Sequence, residues 1–305
     1  MTPELKAAPH AELFAKAETL MEALPWIKSA FGKIVVIKYG GAAMTEPELR
    51  QQVADDIVLM KLVGVQPVVV HGGGPEVTAL SEALGLPTDF VNGLRVTTPE
   101  VMEVVKMALV GKVNKEIVNA INTHGRYAVG ISGEDGGLVT GVPISEELGR
   151  TGQITEIDTT IITKMLADDF VPVIATVGIG EDGASLNINA DTVACELAIA
   201  LGADKCIYLT DVDGIYADFA DKASLISALT TAEAEVLIGE GGAGSGAAAA
   251  APVLAGGMIP KVKACIDTVR GGVRRAHILN GTIPHALLLE VYTDSGVGTM
   301  ITDEA

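Results

Sequence analysis

The sequence predicts an α/β fold, a three-layer αβα sandwich around a central, mainly parallel sheet. Short runs rich in Val and Ile recur along the chain, apolar on both faces as buried strands are. Stretches with helical spacing of apolar residues separate them. Two of the runs also end in glycine-rich turns, Lys38-Tyr39-Gly40-Gly41 and His71-Gly72-Gly73-Gly74. Strands that alternate with helices form crossover units, whose helices cover a parallel sheet on both sides.

The elements follow in order. Residues 1–30 read as a separate unit. Leu13, Ala17, Leu20 and Leu24 fall on one face of an amphipathic helix, and Pro25 is expected to break it. That helix packs either on its own body or on another copy of the chain. Strands are predicted over 34–38, 67–71, 128–131, 171–176, 206–210 and 276–279. Leu49, Val53, Ile57 and Met60 mark one helix face, and Val101, Val105, Leu109, Val113 and Ile117 another. Residues 137–158 read as a β-hairpin or small β excursion, from strand-like runs over 138–142 and 153–157. The Gly- and Ala-rich run 239–257 is low in complexity and reads as a mobile loop before Met258-Ile259-Pro260-Lys261.

Composition narrows the function. The 305 residues carry a net charge of −18 and only 4% aromatics, which disfavours nucleic acid as a partner. The three cysteines, Cys195, Cys206 and Cys265, show no ligand spacing, so they read as buried small residues and no metal site is expected. No signal-peptide pattern and no apolar run long enough to span a membrane occurs, so a cytoplasmic location is expected.

The glycine turns carry the chemistry. Ligands of open α/β sheets bind beyond the carboxyl ends of the strands, where bare backbone N–H groups and the following helix dipole suit phosphate or carboxylate oxygens. Neither turn has the Walker A or the dinucleotide-binding spacing.

VVIKYGG, VVVHGGG, NGLRVT, LNINADTVA, YLTDVDGIY and GGMIPKV occur in that order. From about Gly32 onward the chain resembles the amino acid kinase superfamily and, within it, the arginine-sensitive acetylglutamate kinases. The resemblance implies a substrate lobe over 31–202 and an ATP lobe over 203–305 that share one sheet, with 1–30 as an oligomerisation and regulatory helix. It implies transfer of the γ-phosphoryl group of ATP, with Mg²⁺ as its companion, to the side-chain carboxylate of N-acetyl-L-glutamate in arginine biosynthesis. A carboxylate with a pKa of about 4.3 is already ionised at neutral pH. Positioning and charge neutralisation are then the task, and no base is needed.

By this resemblance Lys38 and Lys261 neutralise the transferring phosphoryl group, and Asp191 orients both. Asp191 also suits a plain helix-start acid. Lys261 sits where a helix dipole disfavours a cation, so some partner is expected to hold it. Gly72 and Gly73 would offer N–H groups to the reactive carboxylate, Asn187 would bind main-chain groups of the substrate, and Arg95 would clasp its α-carboxylate with a planar fork. Gly40, Gly41, Asp211, Asp213, Gly214 and Tyr216 would contact ATP. The DxDG of that last run does not make a calcium loop, because Ala220 stands where the loop needs Glu.

The resemblance further implies feedback inhibition by L-arginine bound at Trp26, Lys205, His277, Glu290 and Gly296, and dimers interlaced by the N-terminal helix into a hexamer. Deleting residues 1–30 is then expected to weaken that inhibition. The sequence departs from the pattern at Ala42, where Asn is common, at Trp26, where Tyr is common, and in the length of 241–252. A glutamate 5-kinase or carbamate kinase, or a non-catalytic arginine sensor, are the alternatives. Retention of both Lys38 and Lys261 argues against the last.

Overall fold

The computed structural model describes residues 8–218, 221–239, 258–293 and 296–303. Its main sheet has eight strands in the order Ala228–Thr230, Thr299–Thr302, Arg275–Asn280, Lys205–Thr210, Ile34–Tyr39, Gln66–His71, Val171–Ala175 and Ala128–Ser132. Neighbours are parallel except Arg275–Asn280 against Thr299–Thr302. All six expected strands lie in this sheet, their ends within a residue of the predicted bounds.

The two-residue period of a strand decides what faces what. Val35, Ile37 and Tyr39 enter one core and Val36 the other. Lys38 therefore shares the face of Val36. Helices Ala190–Ala200 and Met258–Arg270 cover that face through Val193, Leu197, Val262 and Ile266. Helices Pro47–Leu62, Asn114–Asn122 and Ala286–Tyr292 cover the opposite face through Ile57, Ile117 and Leu287. These are the three layers. The cysteines are free and buried. None of the described helices is long and apolar enough to cross a membrane.

The expected hairpin is half of a larger unit. Val139–Pro143 and Thr151–Ile157 are antiparallel, and Val177–Gly180 and Ser185–Ile188 close them into a four-stranded barrel. The last two have four residues each, too short to show a period.

Pro25 does not end the first helix, which runs from Ala8 to Ala30. Proline removes one rung of the helix ladder. Packing holds the segment beyond it, since Ala23, Trp26, Ile27 and Ala30 join the core over Pro47–Leu62. The predicted apolar stripe is not what this chain buries: Leu20 is 70% and Leu24 37% exposed. The long helical pattern from Val101 to Ile117 is also interrupted. A π-helical segment, Met107–Val113, joins Pro99–Lys106 to Asn114–Asn122. The predicted mobile loop lies, from residue 240 to 257, outside the described residues.

Candidate active site

Lys38 is the penultimate residue of the strand Ile34–Tyr39, on the face roofed by the helix Ala190–Ala200. Asn189 caps that helix, accepting from the backbone N–H groups of Asp191 at 2.8 Å and Thr192 at 3.2 Å. The cap sets Asp191 in the first turn, beside the sheet edge. Lys261 lies in the first turn of the neighbouring helix Met258–Arg270. The three meet: Lys38 Nζ is 2.9 Å from Asp191 Oδ1, and Lys261 Nζ is 3.0 Å from Asp191 Oδ2. Burial would raise the Asp191 carboxyl, but the two ammonium groups outweigh it and hold it below the ordinary range. Asp191 is thus a helix-start acid and the link between both lysines, and it offsets the unfavourable dipole position of Lys261.

A cleft opens beside Lys38, and Gly40, Gly41, Gly72, Gly73, Arg95 and Asn187 all line it. A Cβ on Gly40 would stand 2.7 Å from Lys38 Nζ, and one on Gly41, at φ +75°, would collide with the Asp211 carboxylate. A Cβ on Gly73 would lie 2.6 Å from Leu109 Cδ2. Gly41 and Gly73 hold positive φ angles that favour glycine, and at all three positions a side chain of the protein lies close against the bare backbone.

Arg95 is buried, with Nη2 donating to the Gly74 carbonyl at 3.0 Å and to Thr78 Oγ1 at 2.7 Å. The Phe90 ring lies 4.7 Å from the guanidinium. The fork was expected to clasp an α-carboxylate, and Nη2 is already committed within the protein. Nη1 is buried without a partner among the described residues. An orphaned cationic donor at a cleft wall is a ready site for a carboxylate. Asn187 faces Thr151 across the barrel register and donates to Thr97 Oγ1 at 3.0 Å. Thr97 and Thr151 in turn share a 2.9 Å hydrogen bond. Thr78, Thr97 and Thr151 were not singled out from sequence. Thr97 lies in the NGLRVT run, which was the one available signal.

The run after Thr210 sits apart from this cleft. Asp213 accepts from Asn280 Nδ2 at 2.7 Å and from the Tyr216 hydroxyl. Those two donors hold the Asp213 carboxyl below its usual value, and the same bond pushes Tyr216 up to about 12. A Cβ on Gly214 would meet the Thr299 backbone nitrogen at 3.0 Å, so that glycine serves close packing. The Asp211 carboxylate lies against the cleft lining at Gly41. Among the described residues, no group of three or more His, Cys, Asp or Glu side chains is arranged to hold a metal ion.

Residues named for a second site also gather. His277 points to the face opposite Lys38, where its Nδ1 lies 2.6 Å from Glu290 Oε1. Burial draws His277 below its ordinary value. Glu290 Oε2 accepts from the Val297 N–H at 3.1 Å, and a Cβ on Gly296 would come within 2.7 Å of it. Lys205 shares this face, its ammonium drawn down by burial and then by Arg275. Trp26 packs into the same side of the molecule.

The profile of the amino acid kinase family matches residues 33–280. Acetylglutamate kinase from Syntrophomonas wolfei is 50% identical over 291 residues, covering 95% of this chain and 98% of that protein. Acetylglutamate kinase from Moorella thermoacetica is 49% identical, covering 94% and 97%. The chain belongs to the acetylglutamate kinases of the amino acid kinase family. Among solved structures, N-acetylglutamate synthase from Neisseria gonorrhoeae, complexed with coenzyme A and N-acetyl-glutamate, superposes on this family member with a TM-score of 0.80 at 26% identity. That match covers 95% of this chain but 64% of the synthase. Carbamate kinase from Giardia lamblia, bound to AMP-PNP, shares the fold with a TM-score of 0.64 at 19% identity, covering 90% and 99%.

Proposed function

We propose that this chain transfers the γ-phosphoryl group of ATP to the side-chain carboxylate of N-acetyl-L-glutamate, a step of arginine biosynthesis. A carboxylate oxygen attacks the γ-phosphorus, the bond to the bridging oxygen breaks, and ADP leaves with an acyl phosphate formed. The observation that carries this reading is the Lys38–Asp191–Lys261 link at one end of a cleft that also presents Arg95 Nη1. Two ammonium groups offset the charge of the transferring group as two anions are brought together. Gly72 and Gly73 hold the reacting carboxylate through backbone N–H groups. Arg95 takes the α-carboxylate and Asn187 the acylated amine. A buried cation for a second carboxylate favours this substrate over carbamate, which has only one.

The substrate lobe is 31–202 and the nucleotide lobe 203–305. Gly40, Gly41, Asp211, Asp213, Gly214 and Tyr216 contact ATP, and magnesium enters with the phosphates it neutralises. L-Arginine inhibits by binding Trp26, Lys205, His277, Glu290 and Gly296, where Glu290 supports a guanidinium. The segment 1–30, with Leu20 and Met21 of its helix exposed, joins copies into a hexamer. The enzyme works in the cytoplasm.

The test is an ADP-release assay with N-acetylglutamate, glutamate and carbamate in parallel, with and without arginine. Turnover is expected on N-acetylglutamate and to fall with arginine. Activity on glutamate alone would overturn the substrate. Because Ala23 to Ala30 pack into the core, a deletion ending at Leu20 tests the regulatory helix more cleanly than one ending at residue 30. Unchanged arginine sensitivity of that truncation would remove the helix from the regulatory reading.

A further inference from the structure

The glycine turn at the cleft is tied from behind by two side chains absent from the cleft lining. His71, the last residue of strand Gln66–His71, is 0% exposed, and so is Asn114. His71 Nδ1 lies 2.8 Å from the Gly72 carbonyl oxygen. A carbonyl can only accept, so Nδ1 carries the proton. His71 Nε2 lies 3.1 Å from Asn114 Nδ2. The orientation of that amide is fixed independently. Its Nδ2 lies 2.9 Å from the Val173 carbonyl and 3.3 Å from that of Ile131, while its Oδ1 accepts from Lys115 Nζ at 3.0 Å. Nδ2 is therefore the donor, and Nε2 accepts. One tautomer of a neutral ring satisfies both contacts. Burial agrees, since it lowers the His71 pKa to about 4.

The carbonyl and the N–H of one trans peptide point in opposite directions. Tying the Gly72 oxygen back to the ring turns the Gly73 N–H the other way. Gly72, Gly73 and Gly74 line the cleft, whereas His71 does not. The Gly73 N–H has no acceptor among the described residues.

The π-helical segment accounts for the reach of Asn114. A π turn inserts one residue into the helix, and each residue of an α-helix turns about 100°. Asn114 follows Met107–Val113 directly and meets His71 in that shifted register. The same segment presses Leu109 and Val113 toward Gly73, where a Cβ would find them at 2.6 and 3.2 Å. Gly130 makes room for the tie, because a Cβ there would run into the Asn114 amide.

We propose that His71 and Asn114 are positioning residues that set the Gly72–Gly73 peptide so that its N–H faces the substrate's reacting carboxylate, with the π-helical segment placing Asn114 for that task. This rests on the proposed reaction. Neither side chain touches the reacting atoms.

The full-length enzyme tests it with His71→Leu, which removes the ring donor, and His71→Asn, whose amide nitrogen can stand in for Nδ1. In His71→Leu, kcat/KM for N-acetylglutamate is expected to fall about 10- to 100-fold, the range for a lost hydrogen bond to a charged group, while KM for ATP changes little. His71→Asn is expected to recover most of the loss, which a purely structural role would not give. An equal fall for both substrates, or no recovery in His71→Asn at matched folded fraction, overturns the proposal. Should the variants not fold, ring ¹⁵N spectra of the histidine-labelled wild-type chain decide. Nδ1 protonated and Nε2 bare at neutral pH supports the tie, and a protonated Nε2 refutes it. Absence of wild-type turnover on N-acetylglutamate would instead remove the functional reading, and the same spectra would still judge the tie.

Discussion

The cleft and the Asp211–Tyr216 run next to it are built differently. On the glycine-turn side, groups that line the cleft are held from behind by side chains and carbonyls of the protein. His71 holds the Gly72 peptide, Gly74 and Thr78 hold one nitrogen of Arg95, and Thr97 holds Asn187. On the Asp211–Tyr216 side the polar groups hold one another. Asp213 is engaged by Asn280 and Tyr216, and Gly214 is pressed against Thr299. The first arrangement is preorganised, with the Gly73 N–H and Arg95 Nη1 left without an acceptor among the described residues. A ligand of the second would have to exchange its internal bonds for new ones, which makes each contact weaker and more dependent on rearrangement. Asp191 joins Lys38 of the first strand to Lys261 of the helix Met258–Arg270.

The largest expected effect is on that joint. Lys38→Ala or Lys261→Ala is expected to lower kcat by about 10²- to 10³-fold, comparable with loss of an oxyanion donor, with the fold intact by circular dichroism. Turnover near wild type in either variant would break the account of both sides at once.

The next concerns a second contact across the halves. Asp56, on the helix Pro47–Leu62, is buried and pairs with His285 Nδ1 at 2.6 Å, ahead of the helix Ala286–Tyr292. Burial raises the Asp56 pKa to about 6 despite His285 and the Leu287 N–H. A carboxyl raised on folding adds stability below its unfolded pKa, and this is lost as pH rises through its folded value. Wild type is therefore expected to lose about 2–3 kcal/mol relative to Asp56→Asn as pH rises from about 4 to about 7. Paired urea titrations would show it, and a constant gap would mean that burial of this acid is not what couples the two helices.

Arg95→Lys sharpens the preorganised side. The charge survives but the planar fork does not, so KM for N-acetylglutamate is expected to rise about 10-fold or more with little change for ATP. A matching rise for both substrates would move Arg95 from ligand binding to general packing. The smallest effect belongs to the other side. Tyr216→Phe frees Asp213 from one internal bond, and KM for ATP is expected to shift by about 2- to 10-fold, the range of one ordinary hydrogen bond. A change of that size in KM for N-acetylglutamate instead would erase the contrast between the sides.

Much of this was legible in the chain. Continuous Val and Ile runs located six strands. The glycine turns marked the ligand edge. Local reading failed where packing overrode it. Pro25 stays helical because Trp26, Ile27 and Ala30 have a core to enter. The barrel strands Val177–Gly180 and Ser185–Ile188 were too short to announce themselves.

By itself the sequence determined which residue types stand at the carboxyl edge of the sheet, because burial and backbone angle leave a local pattern. Tertiary structure alone decided who meets whom there. Asp191 and Lys261 are 70 positions apart, and His71 and Asn114 are 43 apart. Contacts over such separations depend on how helices seat on the sheet and on the register shift of one π turn. Neither is encoded in the spacing of neighbouring residues.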